Sequence, residues 1–575
     1  MSSPTLKLLK SDLFKSIPEH LTNDERIELS YHRAYAVAKA YGLTASDILN
    51  LTPKFWQIHQ DMTLSLDNAA FVLISIQYNI AGATFAMFVT DQPGYQPLLD
   101  RILKFDVSVQ FMLTEVGHGL DARNLETTAT LLPNGDFDIH TPNSNAAKFT
   151  PPNWPRKGFP RVALVFARLL VSGDDWGVRP FIVWLNDGKN MCEGVTAKLL
   201  PKRAGSKPLD HAITIFTHVR LPRSALLGPL KKPDNMQEGF LSMTRRTAVG
   251  SLAVTTSLIP QMKRAVFVAG KYSLRRRIMR QTSKPVPIIS FRTQQLPILH
   301  ALAQIAAFDP FAQDSIRQFK RSNGMPLIQH VISVTFKAVL CQASQSMFHA
   351  LSERCGAQGL WEYNEIIGPQ LEARMVSIVE GDILALSISM LPSFFSTPHI
   401  SQEQPEIGTE LLLNWYQPPP PTNPTCLLAQ HEKGLFDESH SILNGLKGGH
   451  RSAEFNSLIL PRCPALIEAI GHRRAYEAAA KAGVDSDLLA LYEIHAMLLD
   501  QSWYVQHTDI TREYIFQKEA RLLDALLPRL DPLLDATGAG PYCTAPILSQ
   551  ASWDAFVDGL ETLGGVDMSN DKARL

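Results

Sequence analysis

The stretch TEVGHGLDARNLETTAT, residues 114–130, marks the point where the sequence changes from a helical to a β pattern. Gly117 and Gly119 indicate a sharp backbone turn or a close approach to a neighbouring group, and a threonine-rich run follows them. The stretch lacks the G-K-[ST] ending of a P-loop, and it leads into a β-rich run instead of the helix that a dinucleotide fingerprint needs. It therefore predicts the edge of a β domain, in which we interpret His118 as a structural residue.

The patterns on either side of this stretch predict a mostly α fold with a central β domain. Apolar periodicity is helical before it and again well after it, whereas short β-branched runs and a hairpin signal at Asn134 and Gly135 follow it directly. Four consecutive prolines, 418–421, cannot lie inside a helix and mark a linker. The expected order is an N-terminal helical domain (1–107), a β domain (108–236), a helical bundle (237–400), a Pro-rich linker (401–425) and a second C-terminal helical domain (426–575).

Composition excludes several classes of function. Lys plus Arg and Asp plus Glu both number 55 in the 575 residues, so the chain-wide positive charge of a nucleic-acid-binding protein is absent. No uninterrupted apolar stretch is long enough to predict insertion into a membrane. The six cysteines form no C-x-x-C pair and there is no H-E-x-x-H, so we expect reduced thiols and no metal site.

The last three residues, Ala573, Arg574 and Leu575, are similar to the small–basic–Leu pattern of a peroxisomal address. They predict a peroxisomal location. A cytoplasmic location is the alternative if the tail ends this way by chance.

Two neighbouring segments are rich in basic and amide side chains. The run KYSLRRRIMR, residues 271–280, contains Arg275 and forms a cationic patch on a predicted helix. Arg292, Gln294 and Gln295 lie at the start of another predicted helix. The patch indicates either a solvated helix face or a grip on a diphosphate, since guanidinium groups pair bidentately with phosphate oxygens.

Glu380 lies within an otherwise apolar stretch, residues 375–390. A carboxyl in apolar surroundings has a raised pKa, which suits a general base working near neutral pH. Alternatively, Glu380 and Asp382 complement the dipole at the start of a helix. The residues alone leave both interpretations open.

Together these segments resemble the acyl-CoA oxidase family of the acyl-CoA dehydrogenase superfamily. The family's TE-x-GHG…R-LETTAT segment is similar to residues 114–130 nearly residue for residue, and the likeness covers most of the chain. Further family elements, YS-x-RR, F-x-TQQ, CGG-H-GY and FEGEN, resemble residues 272–277, 291–295, 355–360 and 379–382 at matching spacing.

The resemblance implies a non-covalent FAD held between the β domain and the bundle, often completed by a partner subunit of a homodimer. Glu380 would take the α-proton of an acyl-CoA or other acyl thioester while a β-hydride passes to the flavin, giving a trans-2-enoyl thioester. O2 would then be reduced to hydrogen peroxide, as in peroxisomal fatty acid β-oxidation.

The resemblance also assigns cofactor residues. Thr114 would hydrogen-bond the flavin ring, and Gly117 and Gly119 would let the backbone pass close to it. The other expected cofactor residues are Pro152, Arg275, Arg292, Gln294, Gln295 and Asp382.

The chain departs from the family pattern at two of these positions. The family's WWPGG falls opposite residues 149–152, where Pro152 has no N–H to donate, and its EGEN is EGDI here. Two alternatives therefore stay open: a flavin-dependent dehydrogenase or desaturase acting on a specialised biosynthetic or carrier-bound thioester, and a catalytically silent homologue.

Overall fold

The computed structural model describes residues 3–15, 18–205, 208–279, 284–388, 420–447 and 452–563. Its first hundred residues are helical. The helices there are α1 (Asp12–Lys15), α2 (Asn23–Tyr41), α3 (Ala45–Leu49), α4 (Pro53–His59), α5 (Asn68–Ser75), α6 (Gly82–Val89) and α7 (Gln96–Leu103).

Helix α2 shows how local sequence sets these boundaries. The Thr22 side chain accepts from the Glu25 backbone N–H and the Glu25 carboxylate accepts from the Thr22 N–H, which is a complete capping box. At the other end Gly42 adopts a left-handed backbone, φ +52°, that few other residues tolerate.

Nine strands follow in the described part of the chain. They are β1 (Ser108–Met112), β2 (Thr128–Leu131), β3 (Phe137–His140), β4 (Lys148–Pro152), β5 (Arg161–Val171), β6 (Asp174–Asn186), β7 (Val195–Leu199), β8 (His211–Phe216) and β9 (Val219–Leu221).

The strands form two sheets. One is mixed, with the order β1-β5-β2-β3-β9 and β6 paired to β5; the other has the order β4-β8-β7. Strands β2 and β3 are an antiparallel hairpin whose turn contains Gly135 at φ +90°, as the Asn-Gly signal predicts. The opening stretch crosses from β1 to β2, along the edge where the two sheets meet.

The chain then returns to helices, with one small hairpin. The elements of this bundle are α8 (Met236–Thr244), α9 (Arg246–Thr256), α10 (Leu258–Arg275), β10 (Arg277–Met279), β11 (Pro285–Pro287), α11 (Arg292–Arg321), α12 (Pro326–Arg354), α13 (Ile367–Ile378) and α14 (Ile383–Ile388).

A second set of helices lies beyond the Pro-rich segment. They are α15 (Leu427–Gly445), α16 (Ala453–Leu458), α17 (Cys463–Lys481), α18 (Ser486–Leu499), α19 (Gln501–His507), α20 (Arg512–Leu526), α21 (Leu530–Ala536) and α22 (Gln550–Asp558). Residues 401–419 of the predicted linker, and Ala573, Arg574 and Leu575, lie outside the described residues.

One continuous apolar core joins the N-terminal helices, the bundle and part of the C-terminal helices, whereas most of the β region packs around a second core. Polar contacts also connect distant parts of the chain. Asn68 Nδ2 donates to Glu372 Oε2 at 2.6 Å, and Arg264 Nε donates to the Tyr542 carbonyl at 3.1 Å. The expected mostly α fold with a central β domain is confirmed.

The expectation that no apolar stretch is long enough to cross a membrane is wrong on length and composition. Residues 68–89 and Pro326–Arg354 both meet that criterion. In each, 72% of the apolar window is buried inside the protein, which is typical of core helices.

Candidate active site

Glu380 lies in a four-residue loop between α13 and α14. Glu380 and Gly381 both have left-handed backbones, at φ +56° and +99°. For a residue with a side chain this conformation costs on the order of 1 kcal/mol or more, so surrounding contacts must hold it. Lys337 Nζ donates to the carbonyls of Val379 and Gly381, each at 2.6 Å, and Ser251 Oγ donates to that of Glu380. Three consecutive carbonyl groups of the loop are thus fixed by side chains.

The Glu380 carboxylate occupies a space that exists because residue 250 is glycine. A Cβ at Gly250 would stand 2.5 Å from Glu380 Oε2 and 2.7 Å from Asn79 Nδ2. Both of these polar atoms are buried, and neither has a hydrogen-bond partner among the described residues. Buried polar groups are seldom left unsatisfied in folded proteins, and catalytic sites are one place where this occurs.

Burial governs the protonation of Glu380. Removal from water raises the pKa of Glu380 to about 8, against the opposing charges of Lys337 and Arg246. Arg246 is itself held in place: its Nη2 donates to Asn79 Oδ1 at 2.9 Å, and its guanidinium lies 5.5 Å from the centre of the Phe55 ring. A carboxyl with this pKa is partly ionised near neutral pH and can accept a proton.

Asn79 belongs to a π-helical turn, Ile76–Ile80, between α5 and α6. In the same turn Gln77 Nε2 donates to the carbonyls of Ile102 and Val107, at 2.7 and 2.8 Å, which anchors the turn to the following segment. Such turns are rare and frequently occur at functional sites. The turn supplies the amide that holds Arg246.

Glu115 organises the opening stretch. Lys148 Nζ donates to Glu115 Oε1 at 2.9 Å, Thr127 Oγ1 donates to the same oxygen at 2.6 Å, and His118 Nδ1 lies 3.0 Å from Oε2. Burial acts to raise the pKa of Glu115, but the Lys148 charge and these hydrogen bonds outweigh it and lower the pKa. His118 is engaged with a buried carboxylate, as its interpretation as a structural residue expects.

Three residues of the opening stretch are predicted to contact the flavin, and their surroundings differ from one another. The Thr114 carbonyl accepts from the Phe149 N–H at 3.0 Å. A Cβ at Gly117 would lie 2.8 Å from Asn145 Cβ, so the space beside Gly117 is already filled by Asn145 of the same chain. Around Gly119, by contrast, no heavy atom of the described residues lies within 4 Å of that position. Gly119 therefore borders open space, while Gly117 packs against the neighbouring turn.

Pro152 is the last residue of β4 and pairs with His211 of β8 across an irregular register. Pro152 has no backbone N–H to donate, and it lies where the hydrogen-bond pairing of β4 with β8 is already irregular. In the same strand the Phe149 side chain is 39% exposed. An accessible aromatic ring therefore lies close to Pro152 in sequence.

The basic run 271–280 is only partly helical, so the prediction of one helix is wrong beyond Arg275. Helix α10 ends there, and Arg277–Met279 form β10, paired antiparallel with β11. The reason is that the backbone of this segment takes its hydrogen bonds from Pro285–Pro287 instead of from a continuing helix. Arg280 lies outside the described residues.

Two of the predicted diphosphate ligands are bound within the chain. Arg275 donates through Nε and Nη2 to the Ile547 carbonyl, at 3.2 and 3.0 Å. Gln294 Nε2 donates to Ser273 Oγ at 2.8 Å and to the Arg354 carbonyl at 2.7 Å. Both side chains join segments of the helical region.

Arg292 and Gln295 keep polar atoms available. Arg292 pairs with Asp524 through Nη2, while its Nη1 is buried without a partner in the described residues. Gln295 Nε2 donates to the Ile289 carbonyl at 2.8 Å, while its Oε1 is likewise unsatisfied. A spare guanidinium N–H and a spare amide oxygen suit a cofactor that carries a diphosphate and polar ring edges.

Asp382 caps α14, because its Oδ1 accepts from the Ala385 N–H at 3.0 Å. The sequence left two interpretations open for this segment, a general base or the start of a helix. The contact with Ala385 fits the second interpretation for Asp382. The Glu380 carboxylate makes no such bond among the described residues.

Among the predicted site residues, Glu380 and Asp382 share the loop before α14, and Arg292, Gln294 and Gln295 share the start of α11. Thr114, Gly117 and Gly119 lie in the opening stretch, which contacts the strand that ends at Pro152, while Arg275 ends α10. Sequence reasoning missed the residues that surround the Glu380 loop, which are Asn79, Arg246, Gly250, Ser251 and Lys337. Lys337 alone carried a signal, as a single charge in the apolar run ISVTFKAVL. In the described part of the chain no group of three or more His, Cys, Asp or Glu side chains could hold a metal.

A helical domain, a β domain, a bundle carrying a buried glutamate loop and a further helical region define the architecture of the acyl-CoA dehydrogenase and oxidase class. The structure of acyl-CoA oxidase1 from Yarrowia lipolytica has a TM-score of 0.79 at 18% identity, covering 99% of this chain and 91% of that one. The Caenorhabditis elegans acyl-CoA oxidase-1 complexed with FAD and ATP has a TM-score of 0.76 at 18% identity, covering 98% and 91%. At such identities the likeness shows the fold.

Sequence comparisons narrow the class to a family. Residues 248–391, which include Glu380, match the model of the acyl-CoA oxidase C-alpha1 domain. Human peroxisomal acyl-coenzyme A oxidase 3 is 26% identical over 313 residues, 49% of this chain and 44% of the human protein. Peroxisomal acyl-coenzyme A oxidase 3 of Arabidopsis thaliana is 24% identical over 435 residues, 68% of this chain and 62% of the plant protein. The chain thus spans about half the length of the curated relatives it matches, and it is similar to the acyl-CoA oxidase family.

Proposed function

We propose that the chain is an FAD-dependent acyl-CoA oxidase-like enzyme that desaturates an acyl thioester between its α- and β-carbons. The observation that carries the proposal is the Glu380 loop: a buried carboxyl with a raised pKa and an unpartnered oxygen, in the segment that matches the oxidase C-alpha1 domain. The names of the relatives support a peroxisomal, fatty-acyl-CoA-consuming role.

Glu380 accepts the α-proton of the thioester at its free Oε2. Asn79 and Gly250 lie beside the carboxylate, Asn79 holds Arg246, and burial of Oε2 keeps the base reactive near neutral pH. Bound FAD would supply the acceptor for the β-hydride and a route for its electrons to O2, with hydrogen peroxide as the product. Thr114, Gly119, Arg292 and Gln295 are the residues we expect to hold it, with a partner subunit of a homodimer completing the site.

A second candidate keeps the fold and the flavin but changes the acyl carrier or the electron acceptor. The departure at Pro152, beside the accessible Phe149, favours it, since this strand differs from the family pattern where the cofactor is expected.

The test is anaerobic mixing of the purified full-length chain, reconstituted with FAD, with acyl-CoAs of several chain lengths. We expect the flavin absorbance to bleach and hydrogen peroxide to form when air is admitted. Bleaching without peroxide, but with turnover of an artificial acceptor, would favour the second candidate. A colourless protein that takes up no FAD would contradict both and leave the catalytically silent homologue.

A further inference from the structure

We propose that Lys337 is a positioning residue, which holds the Glu380 loop and biases its carboxylate toward the proton-accepting form. The proposal rests on the proposed role of Glu380 as the general base. Lys337 lies in the middle of α12 and is 1% exposed.

The geometry of Lys337 is specific to the loop. Its Nζ donates to the carbonyls of Val379 and Gly381, at 2.6 Å each, and so spans the residue between them. These are the carbonyls of the residues on either side of the left-handed Glu380. Without them the loop would lose the contacts that offset its backbone strain, and the carboxylate would leave the space beside Gly250.

The cost of burying this lysine indicates that its position has a function. An ammonium group taken from water loses hydration worth several kcal/mol, and a residue needed only for packing would be apolar. Burial lowers the pKa of Lys337, while Cys341, Glu380 and Asp382 act to raise it. Among the described residues Lys337 bonds only the loop carbonyls, and Glu380 Oε2 keeps no hydrogen-bond partner.

Lys337 also acts on Glu380 through charge. The ionisable groups that face Glu380 are Lys337 from α12 and Arg246 from α9, both of which favour the ionised carboxylate. The Lys337→Met variant removes both the two hydrogen bonds and the charge. The Lys337→Arg variant keeps a charge and donors that can reach the carbonyls.

The experiment follows the titration of Glu380 itself by difference infrared spectroscopy, with Glu380→Gln as the reference, on the full-length chain without substrate. We expect Lys337→Met to move the Glu380 midpoint upward by about one pH unit or more, because an opposite charge nearby has been removed. Lys337→Arg is expected to restore most of the shift. Lys263→Met, which removes the ion pair of Lys263 with Asp309 at 2.7 Å elsewhere in the bundle, serves as the matched control and leaves the midpoint unchanged.

A second readout is the pH profile of anaerobic flavin reduction by acyl-CoA. Lys337→Met should lower the limiting rate at pH 7 by about tenfold, recover toward high pH, and change the apparent Kd of the thioester less than the rate. If Lys337→Met does not fold, Lys337→Gln takes its place with the same expected directions.

The outcomes separate the two proposals. An unshifted Glu380 midpoint in a folded Lys337→Met protein overturns the inference about Lys337. A shifted midpoint in a protein that no acyl thioester reduces overturns the proposed function instead, and leaves Lys337 as a loop anchor only.

Discussion

Two glutamates of this chain with buried carboxylate oxygens, Glu115 and Glu380, each lie near a buried lysine and yet have opposite pKa shifts. Lys148 donates directly to the Glu115 carboxylate at 2.9 Å, and the pKa of Glu115 is lowered. Lys337 instead donates to the backbone carbonyls around Glu380, and burial raises the pKa of Glu380 to about 8.

The difference lies in the acceptor atoms to which the lysine ammonium group donates its hydrogen bonds. When the ammonium bonds the carboxylate, the pair ties the opening stretch to β4 and has no capacity left for chemistry. When it bonds the peptide groups, it secures the loop and leaves the carboxylate oxygen free. The same residue pair therefore serves structure in one place and a proposed proton transfer in the other.

The largest expected effect comes from Glu380→Gln. The amide cannot accept the α-proton, so we expect the rate of anaerobic flavin reduction by acyl-CoA to fall by about 10³-fold or more, while FAD uptake is retained. Stopped-flow absorbance of the reconstituted protein measures this. Undiminished bleaching in the variant would show that another residue is the base.

Glu115→Gln tests the structural member of the comparison. Lys148 would remain buried without its counter-charge, and we expect a loss of about 3 kcal/mol in the stability of the β domain. Chemical denaturation measures it, with the double variant Glu115→Gln/Lys148→Met as control, which should recover part of the loss. A single variant as stable as the wild type would contradict the assigned role.

Gly250→Ala probes the space around Glu380. The added methyl would meet the end of the Glu380 side chain, which can swing away without unfolding the protein. We expect flavin reduction to slow by roughly tenfold to a hundredfold, since a small misplacement of a catalytic group has effects of this size. Gly368→Ala in α13, where the described residues leave open space around the new methyl, is the matched control and should keep the wild-type rate.

The pH dependence of the wild-type protein is the smallest effect. The base must be ionised, and the pKa of Glu380 is raised to about 8. The limiting rate of flavin reduction is therefore expected to rise about tenfold between pH 6 and 7 and to level off above the pKa. Rapid-mixing measurements across this range test the prediction, and a flat profile from pH 6 to 8 would contradict it.

Periodicity predicted from sequence that helical regions lie on either side of a central β region. Helix α11 begins at Arg292, where the sequence predicts the start of a helix, because a long amphipathic segment gives a strong signal. The break of the basic run after Arg275 was not predictable from local pattern, since it depends on pairing with a strand that follows a turn.

The residues of the candidate site also divide into those that the local sequence could identify and those that it could not. Glu380 could be selected as a candidate because a carboxylate in a mostly apolar stretch is a local feature, and the family resemblance then assigned it the role of base. Asn79, Gly250 and Lys337 come from three distant helical segments, and only tertiary packing brings them to the loop. The diphosphate assignments for Arg275 and Gln294 stay predictions, although the chain itself engages both side chains.

The core shared by the N-terminal helices, the bundle and the C-terminal helices has a consequence for synthesis of the chain. Asn68 bonds to Glu372, 304 positions later, and Arg264 bonds to the Tyr542 carbonyl, 278 positions later. A chain emerging from the ribosome therefore cannot complete its first helical layer until the second half has been translated. During that interval the apolar faces of α5 and α6 lack their partners from the later helices, so we expect the nascent chain to need more protection from aggregation than a protein built from successive independent domains.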